Sequence, residues 1–496
     1  MAWSADAPLA NVPWAALVVA LPLLAALVAS VSLRAARLLA LPVGLLGLLV
    51  TVAASVQVAM HGPSRVHVGG WWPPLGIALR LDGLGCALLV VSSLVALGAF
   101  AAGRSRFGAQ AARQAWAFWP LSFCLLAALN AAFVGADLFN LYVALELLTI
   151  SAVALVALEG SAAAVAAALR YLLFALVGSL AYLLGVVLLY ARHATLDLQA
   201  LGQLPSGGSD VALAAALISV GLMAKGALFP LHGWLAPAHA AAPAPASALL
   251  SALVVKAPFL VLLRVWFEAL PALPDAVFSQ LLGVLGAGAI VLGSWLALRQ
   301  ERLKLVVAYS TVAQLGYLLL VFPLAAGPGR ETEWAAAAWT GVAFHALAHA
   351  LAKAAMFLAA GDMAQALGHD RVAGLAGLGG AMPLSAFAFA LAAVSLMGLP
   401  PSGGFTGKYL LLTAALGSGQ WWWAAVMLAG GLFAAAYLFR PLSCMLADAR
   451  PELAVRVPRR RQAVALALAF AAVVLGLLSA GPFALLAGSW PGEAPP

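Results

Sequence analysis

The sequence predicts an all-α polytopic membrane protein of about fourteen transmembrane helices, with two inverted five-helix repeats and broken helices 7 and 12. Three observations carry this prediction. Hydrophobic residues make up 65% of the 496 residues and charged residues 8%, with a mean hydropathy of +1.05; soluble globular domains do not have this composition. Apolar segments of about 20 residues, long enough to cross a bilayer, recur from end to end, and no polar stretch is long enough for a soluble domain. Two of these segments, 210–240 and 380–417, are interrupted by Pro and Gly at the seventh and twelfth positions. Paired interrupted helices point to internal repeats with a site at the breaks, and an odd offset of five spans inverts the second copy.

In chain order the spans fall near 11–33, 37–60, 82–103, 114–135, 137–158, 161–191, 210–240, 244–270, 275–298, 302–325, 334–361, 380–417, 420–446 and 462–488. The first is read as a retained helix, not a signal peptide, because it is long and no basic residues precede it. Between spans two and three, Val66 and Val68 alternate, as do Ile77, Leu79 and Leu81, around Gly-Gly and Pro-Pro. This pattern predicts a short interfacial hairpin, with Trp71 and Trp72 in an aromatic belt.

The net charge of +8 resides in short loops and reads as a topology signal, not a nucleic-acid footprint. One side collects Arg34, Arg37, Arg104, Arg106, Arg113, Arg299, Arg302, Lys304, Arg371, Arg450, Arg456, Arg459, Arg460 and Arg461; the other has Arg65, Arg80, Arg192 and Arg330. The first side is therefore expected to be cytoplasmic and both termini external, in a multi-pass protein of the bacterial cell (inner) membrane. The expected division is residues 1–113 (spans one to three and the hairpin), 114–270 (first repeat), 271–446 (second repeat) and 447–496 (basic loop and last span). Cys86, Cys124 and Cys444 lack metal-ligand spacing and read as buried structural thiols.

Of five lysines, Lys304 falls in a predicted loop, while Lys225, Lys256, Lys353 and Lys408 fall in spans. A lysine at the centre of a spanning helix costs about 2.5 kcal/mol or more and needs a reason. Arginine keeps its proton under nearly all conditions, whereas a desolvated lysine can release it. Glu146 is the central acid of span five; its expected cationic partner is Lys225, with Arg170 as a second candidate. His345, His349 and Lys353 are spaced four and four, which places them on one helical face. Such a ladder can hold water and pass protons; a structural polar seam, a metal and an axial haem ligand are the competing readings. No third metal ligand and no HExxH motif lie nearby, so neither metal nor cofactor is expected. In span twelve, Pro400, Pro401, Gly403 and Gly404 open the helix ahead of Lys408, which is then expected to line a hydrated cavity. His232 and His239 are expected near the cytoplasmic loop after the break in span seven, at an entrance or as loop caps.

At these residues the sequence resembles the antiporter-like subunits shared by Mrp-type multisubunit cation/proton antiporters, membrane-bound hydrogenases and respiratory complex I. The motifs are GADLFNLYVALE, ALRYLLFALVGS, AKGALFPLHGWLAPAHAAAPAPASALLSALVVK, HALAHALAKAAMFLAAG and GLPPSGGFTGKYLLL, and the match is strongest over 115–415. The resemblance implies fourteen helices, with helices four to eight and nine to thirteen as inverted repeats. It implies that Glu146 and Lys225 form the helix-five/helix-seven pair and that Lys256 is the helix-eight bridge. It makes His345, His349 and Lys353 the helix-eleven relay and Lys408 the terminal lysine. Within the family the D-type member of the Mrp complex is most similar, and Lys408 argues against the complex I type that carries glutamate there. Arg170 departs from the expected lysine. The resemblance implies a proton-translocating transporter subunit of a sodium/proton antiporter that works with other membrane subunits. The alternatives are a pump subunit of a complex I-like NADH dehydrogenase or hydrogenase and, in another class, a haem-binding anchor.

Overall fold

A chain inside hydrocarbon has no water to bond, so each crossing segment must satisfy its own amides and carbonyls as a helix. The computed structural model describes residues 12–74, 76–107, 112–273, 276–326 and 332–491. Arg330, the side chain of Arg113 and both chain ends, all used in the orientation reading, lie outside the described residues.

The first helices are α1 (Trp14–Val31) and α2 (Leu33–His61). Strands β1 (Ser64–His67) and β2 (Ala78–Leu81) then pair antiparallel, from Ser64 opposite Leu81 to His67 opposite Ala78. This is the expected hairpin, with Trp71 and Trp72 exposed at its tip. Helices α3 (Gly83–Arg106), α4 (Ala112–Val134), α5 (Leu138–Val156) and α6 (Ala162–His193) follow. Asp82, Asp137 and Ser161 cap α3, α5 and α6 by accepting from the first-turn amides of Gly85, Asn140 and Ala164. A short helix, α7 (Leu198–Gly202), leads to the first interrupted span, α8 (Ser209–Lys225) and α9 (Leu235–Ala241). Span eight is α10 (Ala244–Leu249), a π turn (Leu250–Val254), α11 (Lys256–Arg264) and a second π turn (Val265–Ala269).

The second half opens with α12 (Ala276–Leu298), then α13 (Leu303–Leu319) with α14 (Val321–Ala325), and α15 (Glu333–Leu367). After a one-turn helix, α16 (Leu378–Ala381), the second interrupted span is α17 (Pro383–Met397) and α18 (Gly403–Gly417). The chain closes with α19 (Trp421–Leu446), α20 (Arg459–Leu477) and α21 (Ala480–Ala487). Among the described residues, twelve helices are long and apolar enough to cross a membrane. The sequence-based total of fourteen also counts the two interrupted spans, whose halves of 17 and 7 and of 15 and 15 residues are individually too short. The predicted fourteenth span is itself split, because α20 ends at Leu477 and α21 starts three residues later. Lys304 lies in the first turn of α13, not in a loop, and donates to the Ala242 carbonyl that ends α9 (3.0 Å).

The neighbour relations repeat between the halves. In the first, α6 packs along α8; in the second, α15 packs along α18. Glycine makes both contacts. A Cβ on Gly221 would sit 2.4 Å from the Gly178 carbonyl oxygen, and one on Gly407 would sit 2.6 Å from the His345 amide. Backbones at this distance leave no room for a side chain, the small-residue packing expected where lipid supplies no hydrophobic drive. α3, α20 and α17 cover the other flanks of α15, which is buried along its apolar window.

A charged cluster ties the hairpin to the end of span eight. Arg264 is 1% exposed and donates to Gly135 O (2.7 Å), Phe133 O (2.9 Å) and Asp82 Oδ2 (2.9 Å). Arg80, on β2, reaches Asp82 Oδ2 (2.6 Å) and Glu268 Oε2 (2.8 Å). Burial works to raise the Asp82 carboxyl, but the facing Arg264 and Arg80 guanidiniums outweigh it and hold the group below the ordinary aspartate range. The sequence reading did not single out this cluster, since its Asp82–Arg264 and Arg80–Glu268 pairs join residues 182 and 188 apart.

Replacing Asp82 with Ala is expected to lower unfolding stability by about 3–5 kcal/mol, because Arg264 is left buried without its counter-charge; thermal melting of the purified protein measures this. In the native protein the Asp82 contribution is complete above the ordinary aspartate value of about 3.9 and is lost as pH falls through the lower folded value. Melting of Asp82→Ala should therefore respond less to acid than melting of the native chain.

Candidate functional site

Breaking a helix inside a membrane exposes carbonyls at its C-terminal end, where the helix dipole is negative. The chain places a lysine at both breaks. Lys225 is the last residue of α8. Lys408, on α18, reaches back to donate to Leu396 O (2.6 Å) at the C-terminal end of α17. Gly398 ends α17 at φ +83°, and a Cβ there would lie 2.7 Å from Lys408 Cδ. Glycine is thus required both by the backbone and by the lysine stem.

Lys225 Nζ donates to Glu146 Oε1 (2.9 Å) and to the Thr149 hydroxyl (3.1 Å), and the Ser179 hydroxyl donates to the same carboxylate oxygen. Lys225 is 3% exposed and Glu146 23%, so the pair lies at the lateral surface with its acid outward. Arg170 does not join it. Ser179 is the residue of α6 that faces Glu146, and Arg170 lies nine residues earlier, about 13 Å along the axis, on an exposed face.

Further along, Lys256 follows the first π turn, which frees the Ser251 carbonyl to accept from Lys256 Nζ (2.7 Å). Lys256 Nζ also shares a 2.6 Å hydrogen bond with His349 Nδ1. On the same face of α15, the His349 and His345 ring centres are 6.0 Å apart. His345 Nε2 donates to Gln314 O (3.1 Å), and its ring lies 5.3 Å from that of Tyr317. Lys408 Nζ sits 4.4 Å above the Tyr317 ring, within cation–π range. Lys353 turns away from this line and donates to Val307 O (2.9 Å) and the Ser310 hydroxyl on α13.

The structure thus gathers the sequence-predicted residues into two groups, Glu146 with Lys225, and Lys256 with His349, His345 and Lys408, with Lys353 one turn to the side. Among the described residues no hydrogen bond or ion pair joins Lys225 to Lys256. His239 differs from its expected place. It is fully buried in α9 and stacked on Phe357 of α15, with ring centres 4.7 Å apart, so it does not cap a surface loop. Pro243 follows the end of α9 and the Ser247 hydroxyl donates to the His239 carbonyl, which folds the segment inward. His232, in the break itself, is partly buried.

Several polar residues at the site escaped the sequence reading: Thr149, Ser179, Ser251, Ser310, Thr311, Gln314 and Tyr317. A signal was present for two of them. Ser310 and Tyr317 recur at i and i+7 on the face of α13 toward α15, whereas Gln314 meets His345 through its backbone carbonyl and turns its amide to Tyr437 of α19.

Lys256, Lys353 and Lys408 meet only neutral partners: carbonyls, hydroxyls and an imidazole. A fixed charge buried that way is expensive. Amines and imidazoles that can gain and lose a proton suit such surroundings, and their spacing lets a proton pass by short steps through intervening water. Among the described residues no three His, Cys, Asp or Glu side chains are gathered as metal ligands.

Residues 135–434 match the family described as NADH:quinone oxidoreductase/Mrp antiporter, transmembrane. The chain belongs to this family. Similar relatives include the N subunit of the NADH-quinone oxidoreductase of Desulforudis audaxviator, 36% identical over 82% of this chain and 80% of the relative. The D-type component of the Na(+)/H(+) antiporter of Alkalihalophilus pseudofirmus is 30% identical over 78% and 76%. Among solved structures, a chain of the Mrp complex from Dietzia sp. DQ12-45-1b superposes with a TM-score of 0.86 at 27% identity, covering 96% of this chain and 97% of that one. A chain of an archaeal membrane-bound sulfane sulfur reductase gives 0.86 at 29%, covering 97% and 98%. The two structural likenesses run nearly the full length of this family member, broken helices included.

Replacing Gly398 with Ala is expected to cost about 1–2 kcal/mol from the left-handed backbone alone and to push Lys408 off the α17 carbonyls. Gly380→Ala, where a Cβ meets nothing within 4 Å, serves as the control, and melting temperatures of the two variants make the comparison.

Proposed function

We propose that the chain is the proton-translocating subunit of a multisubunit monovalent cation/proton antiporter, with sodium as the exchanged ion. Protons move along a lateral line through Glu146, Lys225, Lys256, His349, His345 and Lys408, with Lys353 as a side branch to α13. The observation that carries the reading is the run of exchangeable groups at close spacing, from the 2.6 Å Lys256–His349 bond to Lys408 above Tyr317. The relatives named as D-type components of Na(+)/H(+) antiporters support the antiporter form. The buried groups are amines and imidazoles, not the cage of oxygens a hard cation demands, so the cation site is assigned to a partner membrane subunit. Glu146 and Lys225 form the switchable element: the lysine is held charged while paired and gives up its proton when the pair separates.

The protein sits in the bacterial inner membrane with the arginine-rich face cytoplasmic and both termini external. Its working units are residues 114–270 and 271–446, flanked by 1–113 and 447–496. A second reading has its own support. The 36% identical relative is an NADH-quinone oxidoreductase component, and a redox-driven complex would use the same line of groups with the driving chemistry in other subunits. Neighbouring genes separate the two: small antiporter subunits for the first, iron–sulfur subunits for the second.

The test is transport in inverted vesicles from cells expressing the whole operon, with sodium and potassium compared. Glu146→Ala and Lys225→Ala are each expected to reduce proton-coupled exchange to background while the complex still assembles, and Lys408→Ala to block it as well. Near-native exchange in both the Glu146 and Lys225 variants would sink the mechanism.

A further inference from the structure

The arginine-rich face carries a cleft that the proton line does not use. It measures about 460 Å³ and lies between α2, α3 and α20. Arg104 and Ser105 rim it from α3, and Arg460 and Arg461 from α20. Leu41, Ala101 and Val464 form its apolar wall. The arrangement is graded with depth. Val464 lies one turn inward of Arg460, and Ala101 one turn inward of Arg104 and Ser105, on the same helical faces. Each helix thus presents cationic donors at the membrane edge and hydrocarbon about 5–6 Å deeper.

The charges at the rim are not balanced by the protein. Arg461 is committed elsewhere: it pairs with Asp362 (2.6 Å), both side chains 4% exposed, and donates to Gln365 (2.8 Å). Arg104 and Arg460 are exposed and make no ion pair with any described residue. On α2, Leu38 one turn outward of Leu41 and Leu45 and Leu49 inward of it are all exposed, an aliphatic surface running past the cleft into the bilayer.

We infer that this cleft binds an anionic phospholipid, its phosphate held by Arg104 and Arg460 and its acyl chains laid along Leu41, Val464 and the exposed leucines of α2. Two guanidiniums over an apolar wall match a phosphodiester joined to hydrocarbon; a soluble anion lacks the hydrocarbon, and a zwitterionic lipid brings a headgroup cation that the two unpaired guanidiniums repel. Arg461, fixed by Asp362, positions the first turn of α20 so that Arg460 faces Arg104. The inference is independent of the transport reading, because none of the residues that line the cleft belongs to the line of lysines and histidines.

The experiment uses the intact purified complex in neutral detergent, titrated with phosphatidylglycerol, phosphatidylcholine or inorganic phosphate, with melting temperature and retained lipid by native mass spectrometry as readouts. Phosphatidylglycerol is expected to raise the melting temperature and remain bound, whereas phosphatidylcholine and inorganic phosphate leave both unchanged. Arg104→Gln and Arg460→Gln are each expected to weaken phosphatidylglycerol binding about fivefold and the double variant about 25-fold, with the lipid-free melting temperature unchanged. Arg456→Gln, a basic residue outside the cleft, should have no effect. Equal stabilisation by phosphatidylcholine, reproduction of the effect by inorganic phosphate, or a double variant that binds phosphatidylglycerol as well as the native chain would each overturn the assignment.

Discussion

The architecture depends on one constraint: a helix cut inside a membrane must have its open carbonyls bonded. α8 and α17 both end in the middle of the protein, with a lysine at each break. At the first, the Trp234 indole donates to Ala224 O (2.9 Å) and the Gly226 and Leu228 amides to Leu222 O and Met223 O, which leaves Lys225 for Glu146 and Thr149; at the second, Lys408 itself reaches back to Leu396 O. The position of a titratable amine is thereby tied to backbone geometry. The glycines that permit the breaks, and the close α6–α8 and α15–α18 packing around them, follow from the same requirement.

The two halves share a plan but differ in charge. In the first, span five brings an acid to the lysine of the break. In the second, the corresponding span is α13, which offers the Ser310 hydroxyl, the Gln314 backbone carbonyl and the Tyr317 ring instead. One end of the line therefore holds an ion pair and the other a cation over an aromatic ring. Between them the α15 ladder supplies imidazoles, and the first π turn lets Lys256 hold a carbonyl and a histidine at once. A lysine held by an acid and a lysine held by neutral dipoles respond differently to a nearby charge, so the two groups are not equivalent.

Much of this was legible in the chain because a membrane makes polarity expensive. Glu146, Lys225, Lys256, His345, His349, Lys353 and Lys408 stand out in apolar runs, and Pro and Gly mark the breaks. The Glu146–Lys225 pairing could be anticipated from charge alone. The rest depended on information that the local sequence lacks. Nothing in the run around Leu250–Val254 signals a π turn. Whether Arg170 or Ser179 faces Glu146 is a matter of how α6 is rotated against α5. The Asp82–Arg264 bond joins residues far apart in the chain, and His239 is buried because Phe357 of a distant helix covers it. Ser310 and Tyr317 did have the right spacing, but hydroxyls are common enough in membrane helices to pass as packing.

The packing of α20 and α3 on either flank of α15 has a consequence for how the protein is made. α15 carries the histidine ladder, and α20, one of its covers, begins 106 residues after Lys353. At ordinary elongation speeds of about 5–20 residues per second, the polar face enters the bilayer roughly 5–20 s before that cover exists. The ladder helix is therefore inserted unfinished and closed on that flank afterwards, when α20 follows it into the bilayer. A chain truncated before Arg459 would leave α15 open on that flank, however complete the row of lysines and histidines itself remained.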